Sequence, residues 1–305
     1  MKFSKPALST EQQLDLLVRR GMTVADRQAA LQYLDHINYY RLRAYWLPSE
    51  TPAAANDDHA FKLGTRFETI IDLYSFDRKL RLLVMDAIER IEVSLRTRWA
   101  NILALRYGPH AYLDARLFRR PTQHARCLTK LQEELERSRE TFVLHYRATY
   151  TDPELPPLWS VCELLTFGQL SQWFSNLATG ADRREISKPY GVDEQIIGSF
   201  AHHLAYVRNV CAHHMRLWNR EMTIGMKIPN HPDWLGSAFN EAKPKRIYNT
   251  LLMLAHLLDS ISPRSQWRQH LFSLFEEHLA VDFSAMGFPA DWRTSAIWKA
   301  KSGPG

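Results

Sequence analysis

Little in this chain could staple it from outside. It has three cysteines, Cys127, Cys162 and Cys211, odd in number, widely spaced and in no CxxC pair. That excludes a disulfide framework and fits a reducing compartment. Glycine (12) and proline (15) are modest over 305 residues, so no stretch reads as a low-complexity linker, and no internal repeat is visible. Long apolar runs are missing too. The longest uncharged stretch, Leu164 to Ala181, is broken by Gln, Ser, Asn and Thr and cannot span a bilayer. The opening MKFSKPALSTEQQ lacks the apolar core of a secretory leader. These absences predict a cytoplasmic protein with no membrane partner.

The familiar chemical signatures are absent as well: no GxGxxG, Walker A, HExxH, GxSxG or EF-hand pattern occurs. No metal site and no cofactor are expected. Single carboxylates such as Asp72, Asp77 and Asp86 have basic neighbours at helical spacing and read as ordinary helix pairs rather than a paired-carboxylate site.

What is there is apolar bulk and arginine. Apolar residues make up 45% and charged residues 24%, the balance of a folded globular chain. The formal net charge is +6, and arginine (28) outnumbers lysine (11). Arginine's planar fork suits phosphate and stacking, so a polyanionic partner such as nucleic acid is one reading of this excess. A merely solubilising surface is the other.

Helical periodicity dominates. Ser9 or Thr10 with Gln12 and Gln13 forms a capping-box pattern, and a second helix is predicted over about Val24 to Ile37. The aromatic and basic run Tyr39, Tyr40, Arg41, Arg43, Tyr45 and Trp46 follows, as either a single-strand RNA platform or a packing element. A loop from Pro48 to Gly64 reads as a hinge. Leu80, Val84, Ile88, Ile91, Leu95, Trp99 and Ile102 then recur at three- and four-residue steps within Phe67–Tyr107, one helix of roughly 60 Å at 1.5 Å per residue. Further helices are predicted over about Thr122–Tyr150, Leu158–Leu165, Gln169–Leu177, Asp193–His214, Lys243–Asp259 and Arg264–Leu279, with Met222–Ile228 the one plausible strand. Trp159, Trp173 and Phe174 are expected in the core. Nothing alternates as βαβ units. The expected fold is all-α, an elongated helical bundle around one long central helix, with a small N-terminal helical region.

Reactive side chains concentrate between His202 and His214, where four histidines join Tyr206, Arg208, Asn209 and Cys211; Arg216, Trp218 and Arg220 follow. On a helix Asn209 and His213 share a face, and Arg208 points about 140° from His213. Arginine can hold a phosphodiester's charge and histidine can move a proton near neutral pH. RNA carries its own nucleophile in the 2′-hydroxyl, so its cleavage needs little else. Spacing alone proves nothing, because Arg/His pairs five or six apart occur five times here. Only Arg208 has an asparagine directly after it and a histidine cluster around it. The bland alternatives are that His213 is a satisfied structural histidine, or that Cys211, His214 and His203 bind zinc without standard spacing.

Several segments in order carry a resemblance: Asn38-Tyr39-Tyr40-Arg41-Leu42, the Phe67–Tyr107 helix with Asp72-Leu73-Tyr74, Phe76-Asp77-Arg78 and Ile88-Glu89, Pro157-Leu158-Trp159, and Arg208-Asn209-Val210-Cys211-Ala212-His213. Over roughly Leu14 to Leu258 the chain resembles the Abi family of bacterial abortive-infection proteins, of the AbiD and AbiF type, within the HEPN superfamily. The resemblance implies a HEPN-like helical domain over 65–262, after an N-terminal aromatic-basic region (1–47) and before a C-terminal helix and tail (263–305). It implies a metal-independent endoribonuclease of anti-phage defence, with Arg208, Asn209 and His213 as catalytic residues. Tyr39, Tyr40, Arg41, Arg43 and Arg216 are the expected RNA contacts. RNA, as substrate or as a small antitoxin RNA, is the implied partner. Many HEPN nucleases pair two motifs across a dimer; no second motif is found in this chain, so a homodimer is expected. The alternative is a non-catalytic RNA-binding or RNA-sensing module of such a system.

Overall fold

The computed structural model describes Lys2, residues 6–51 and residues 59–299. Part of the predicted hinge (52–58) and the end of the C-terminal tail (300–305) lie outside the described residues. Among the described residues the chain is all-α, without a strand. It divides into two compact units, Met1–Arg81 with Leu271–Asp282, and Leu82–His270 with Phe283–Gly305. The division falls inside the long helix.

In the first unit, α1 (Thr10–Arg19) starts on the expected capping box: the Ser9 side chain accepts the Gln12 N–H, and the Gln12 side chain takes the Ser9 N–H. The next elements are α2 (Arg27–His36), α3 (Tyr39–Trp46) and the start of α4 (Phe67–Tyr107), whose bounds are those its periodicity predicts. Leu14, Leu17, Leu42, Trp46 and Phe76 are fully buried here. The Asp77 carboxylate is buried with them and accepts the Tyr45 hydroxyl at 2.6 Å and the Arg81 guanidinium. Asp77–Arg81 is therefore the helix pair its spacing implies, and it is buried.

The second unit holds the rest of α4, then α5 (Pro121–Arg137), α6 (Thr141–Thr149), α7 (Leu158–Leu164), α8 (Phe167–Asn176), α9 (Gly180–Ser187), α10 (Glu194–Ala212), α11 (Asp233–Gly236) and α12 (Ile247–Ile261). The last helix, α13 (Trp267–Glu277), ends in the first unit. Every residue of α12 from Ile247 to Leu258 is buried, as expected of a helix apolar on nearly all sides. By contrast α4 keeps Leu82, Val93 and Leu105 exposed.

Four local expectations change. The predicted Thr122–Tyr150 helix is two helices: the Ser138 backbone turns extended, its hydroxyl takes the Glu140 N–H at 3.2 Å, and Arg147 reaches back to the Leu135 carbonyl at 2.6 Å. The end of α5 is thus satisfied by groups beyond the break. Helix α9 was not anticipated; it is short and polar, held by a buried Asp182 that accepts the Tyr107 hydroxyl at 3.0 Å and the Arg106 guanidinium. Trp159 is 56% exposed, because the neighbouring Leu158 takes the inward position of α7, whereas Trp173 and Phe174 are core as expected. Met222–Ile228 is not a strand. Its backbone is satisfied by other elements: Met222 N–H bonds the Lys245 carbonyl at 2.8 Å and Lys227 N–H the Ser199 hydroxyl at 2.8 Å.

Candidate functional site

Helix α10 carries the candidate residues Arg208 and Asn209 and ends at His213, and its sequence explains its two faces. Asp193 caps it, accepting the Gln195 N–H at 2.7 Å. Ile196, Ile197, Phe200, Leu204, Val207, Val210 and Cys211 are buried. Gln195, Ser199, His202, Tyr206, Asn209 and His213 recur at steps of four and three, within about 40° of one line at 100° per residue. All six are exposed or half-buried. They form a polar stripe down the outer side of the helix.

The stripe ends at a built terminus. His214 N–H bonds the Cys211 carbonyl at 2.9 Å and Met215 N–H the Val210 carbonyl at 2.9 Å, the two bonds of a Schellman cap. His214 holds the left-handed position (φ 56°) that glycine usually fills there. Histidine adopts this conformation more readily than most residues. The cap fixes His213 as the residue that closes α10, with its side chain exposed beyond Asn209. His213 is therefore not a buried structural histidine.

Arg208 is exposed on another side of the helix, close enough for its charge to act on Glu92 of α4. Burial raises the Glu92 pKa; Arg96 and then Arg208 pull it back, Glu89 adds to the rise, and the carboxyl stays above its ordinary range. Arg96 is occupied by Glu92 and the Leu165 carbonyl, Arg98 by the Glu185 carbonyl at 2.6 Å, and Arg90 by Asp86 at 3.0 Å. These three arginines of α4 serve the fold rather than an open groove.

After the cap the chain doubles back over the stripe. Arg220 Nε donates to the Tyr206 hydroxyl at 3.2 Å, and Arg246 Nη1 donates to Asn219 Oδ1 at 2.9 Å. Burial raises the Tyr206 pKa, but hydrogen bonds with Thr223 and Arg220 outweigh it and bring the phenol below its ordinary value. Arg216 is half-buried, its guanidinium 5.9 Å from the centre of the Trp218 ring. Tyr206 and Arg220, both within the run of reactive side chains visible in the sequence, join the candidate site through this bond. The spacing of Tyr206 from Asn209 and His213 places it on the stripe, whereas only folding brings Arg220 back to it.

The other histidines separate by burial. His202 is exposed on the stripe. His203 is buried, with Nδ1 2.6 Å from the Ile224 carbonyl and Nε2 2.8 Å from the Thr250 hydroxyl. A carbonyl only accepts, so Nδ1 carries the proton and Nε2 accepts from Thr250. Burial pushes its pKa down to about 4. With both ring nitrogens so engaged, His203 does not join Cys211 and His214 in a zinc site. Among the described residues no group of three or more His, Cys, Asp or Glu side chains is placed to hold a metal ion.

Tyr39, Tyr40, Arg41 and Arg43 lie in α3, in the first unit. Tyr40 is 72% exposed and Arg41 is exposed, Tyr39 is half-buried with its ring 5.0 Å from that of Trp46, and Arg43 sits 3.5 Å from Glu50. Tyr45 and Trp46 of the same run are core. The run is thus a packing element with an exposed aromatic and basic edge.

No helix among the described residues is long and apolar enough to cross a membrane. Residues 32–219, more than half of the chain, match the model of a family described as Abi-like protein. No curated protein and no solved structure matches.

Proposed function

Because this chain belongs to the Abi-like protein family, we propose that it is a HEPN-type endoribonuclease of abortive-infection defence, cleaving RNA by attack of the 2′-hydroxyl. The observation that carries this reading is the exposure of Arg208, Asn209 and His213 together at the capped end of α10, inside the matched segment.

The chemistry these groups supply is compact. His213 takes the proton from the 2′-hydroxyl, a role worth about 10²–10⁴ in rate. The freed oxygen attacks the adjacent phosphorus, the bond to the 5′-oxygen breaks, and that oxygen takes a proton from water while His213 returns its own to solvent. The products are a 2′,3′-cyclic phosphate and a 5′-hydroxyl. Arg208 stabilises the charge on the pentavalent phosphorus, and Asn209 orients the phosphate.

Arg208 and His213 diverge around α10, which favours a homodimer with two such helix ends face to face. Each phosphate then lies between the arginine of one copy and the histidine of the other. Tyr40, Arg41 and Arg216 are proposed contacts to the remainder of the RNA.

The test is cleavage of mixed labelled RNAs by purified wild-type and His213→Ala protein in EDTA, with product ends mapped. Cleavage by the wild type alone, leaving cyclic-phosphate ends, is expected. Equal cleavage by both proteins overturns the assignment. RNA retained intact by both turns the reading to a non-catalytic RNA-binding module.

A further inference from the structure

The polar stripe of α10 does not stop at His213. Three turns upstream it enters a surface cavity of about 520 Å³ whose rim holds Arg119, Arg183, His202 and Lys227, with Phe174 and Gly198 among its lining. His202 lies eleven residues before His213, about 17 Å along the helix axis.

The cations here are held by neutral groups. Arg119 donates to the Ser175 carbonyl, Arg183 to the Leu177 carbonyl, and Lys227 Nζ to Gln195 Oε1 at 3.0 Å. Among the described residues none of the three has a carboxylate at ion-pair distance; Glu194, also on the rim, lies 3.9 Å from Arg184 instead. Burial, then the like charges of Arg183 and Arg120, lower the Arg119 pKa. Positive charge gathered by carbonyl and amide oxygens stays uncompensated, and a phosphate would relieve it.

We propose that this cavity is a second phosphate subsite for single-stranded RNA, gripping the backbone a few nucleotides from the bond cleaved at His213. This rests on the ribonuclease reading above and adds where the strand runs: along α10, from Lys227 and Arg183 toward Asn209. The Arg119, Arg183 and Lys227 cations grip phosphate, and His202 lies between them and the reacting end.

The experiment uses fluorescent single-stranded RNA with 2′-O-methyl sugars, which lacks the nucleophile and stays intact. Its affinity for the full-length protein is measured by anisotropy across a salt series. Each phosphate contact with a single strand contributes about 0.7 to the slope of log affinity against log salt. Arg183→Gln with Lys227→Gln should weaken binding on the order of tenfold and flatten the slope by about 1.4. Arg126→Gln with Lys130→Gln, an equal loss of charge on exposed positions of α5, should change neither. Should the double variant melt early, Lys227→Gln alone decides, with a slope loss of about 0.7.

Wild-type binding with an unchanged slope in the variants overturns the subsite and leaves the ribonuclease reading standing. So does an equal loss in the α5 control. Displacement of the RNA by equimolar adenosine monophosphate would assign the cavity to a small phosphate ligand and overturn the proposal. A wild type that neither binds nor cleaves RNA removes both readings together.

Discussion

The backbone N–H of Met215 bonds the carbonyl of Val210 at 2.9 Å, closing α10 around a left-handed His214. Two adjacent histidines thereby receive opposite duties. His214 serves the backbone, and His213 is left with its side chain free of the cap. His214→Val, a β-branched residue that resists this conformation, should destabilise the protein by about 1–2 kcal/mol. His213→Ala should leave the denaturation midpoint where it is. Urea unfolding of the two variants checks this; equal losses at 213 and 214 would contradict it.

The proposed homodimer, with each site completed across a two-fold axis, makes a quantitative prediction. Arg208→Ala and His213→Ala proteins should each be inactive alone. After mixing and reassociation, half of the dimers carry one copy of each, and each such dimer has one intact site of two. About a quarter of the wild-type cleavage should return. Mixtures that stay as inactive as either parent would place the whole site on one chain.

His203 predicts how stability responds to acid. Its folded pKa, about 4, lies below the ordinary value of 6.5, so the native state favours the neutral ring. The contribution is fully present above pH 6.5 and is lost as pH falls from there through about 4. A shift of that size is worth about 3 kcal/mol. Below pH 6.5 the unfolding free energy of the wild type should fall more steeply than that of His203→Gln. Parallel pH profiles would show that the buried ring is not the titrating group.

In the first unit, Asp77 is buried and binds both Tyr45 and Arg81. Its charge adds to burial in pushing the Tyr45 phenol far above its ordinary pKa. Removing one partner of a buried pair strands the other, so Asp77→Ala should cost about 3–5 kcal/mol. Asp86→Ala, from a half-exposed pair with Arg90, should cost under about 1 kcal/mol. Thermal melts of the two variants compare the pairs directly.

Much of this was legible in the chain itself. The 41-residue α4, the Ser9 capping box and the Arg208–His213 cluster are local patterns, set by helical periodicity and by side chains a few residues apart. Local patterns survive whatever packs around them. Met222–Ile228 differs because an apolar segment looks alike in sequence whether a neighbouring strand or scattered groups elsewhere in the fold take its N–H groups. Thr122–Tyr150 was misread because Ser138 breaks the helix without a proline or glycine to announce it.

The sequence by itself determined an all-α chain and the order of residues along α10. Only the tertiary structure decided which of those residues are buried and which face solvent. Burial separated His203 from His202, although they are neighbours in the chain, because a side chain's solvent contact depends on what packs against its face. The same distinction made Asp77 internal and left Asp86 half-exposed on one helix. The Arg119, Arg183 and Lys227 rim lies beyond sequence reasoning for the same reason. Its members are 64 and 44 residues apart along the chain, and only folding puts their charges around one cavity.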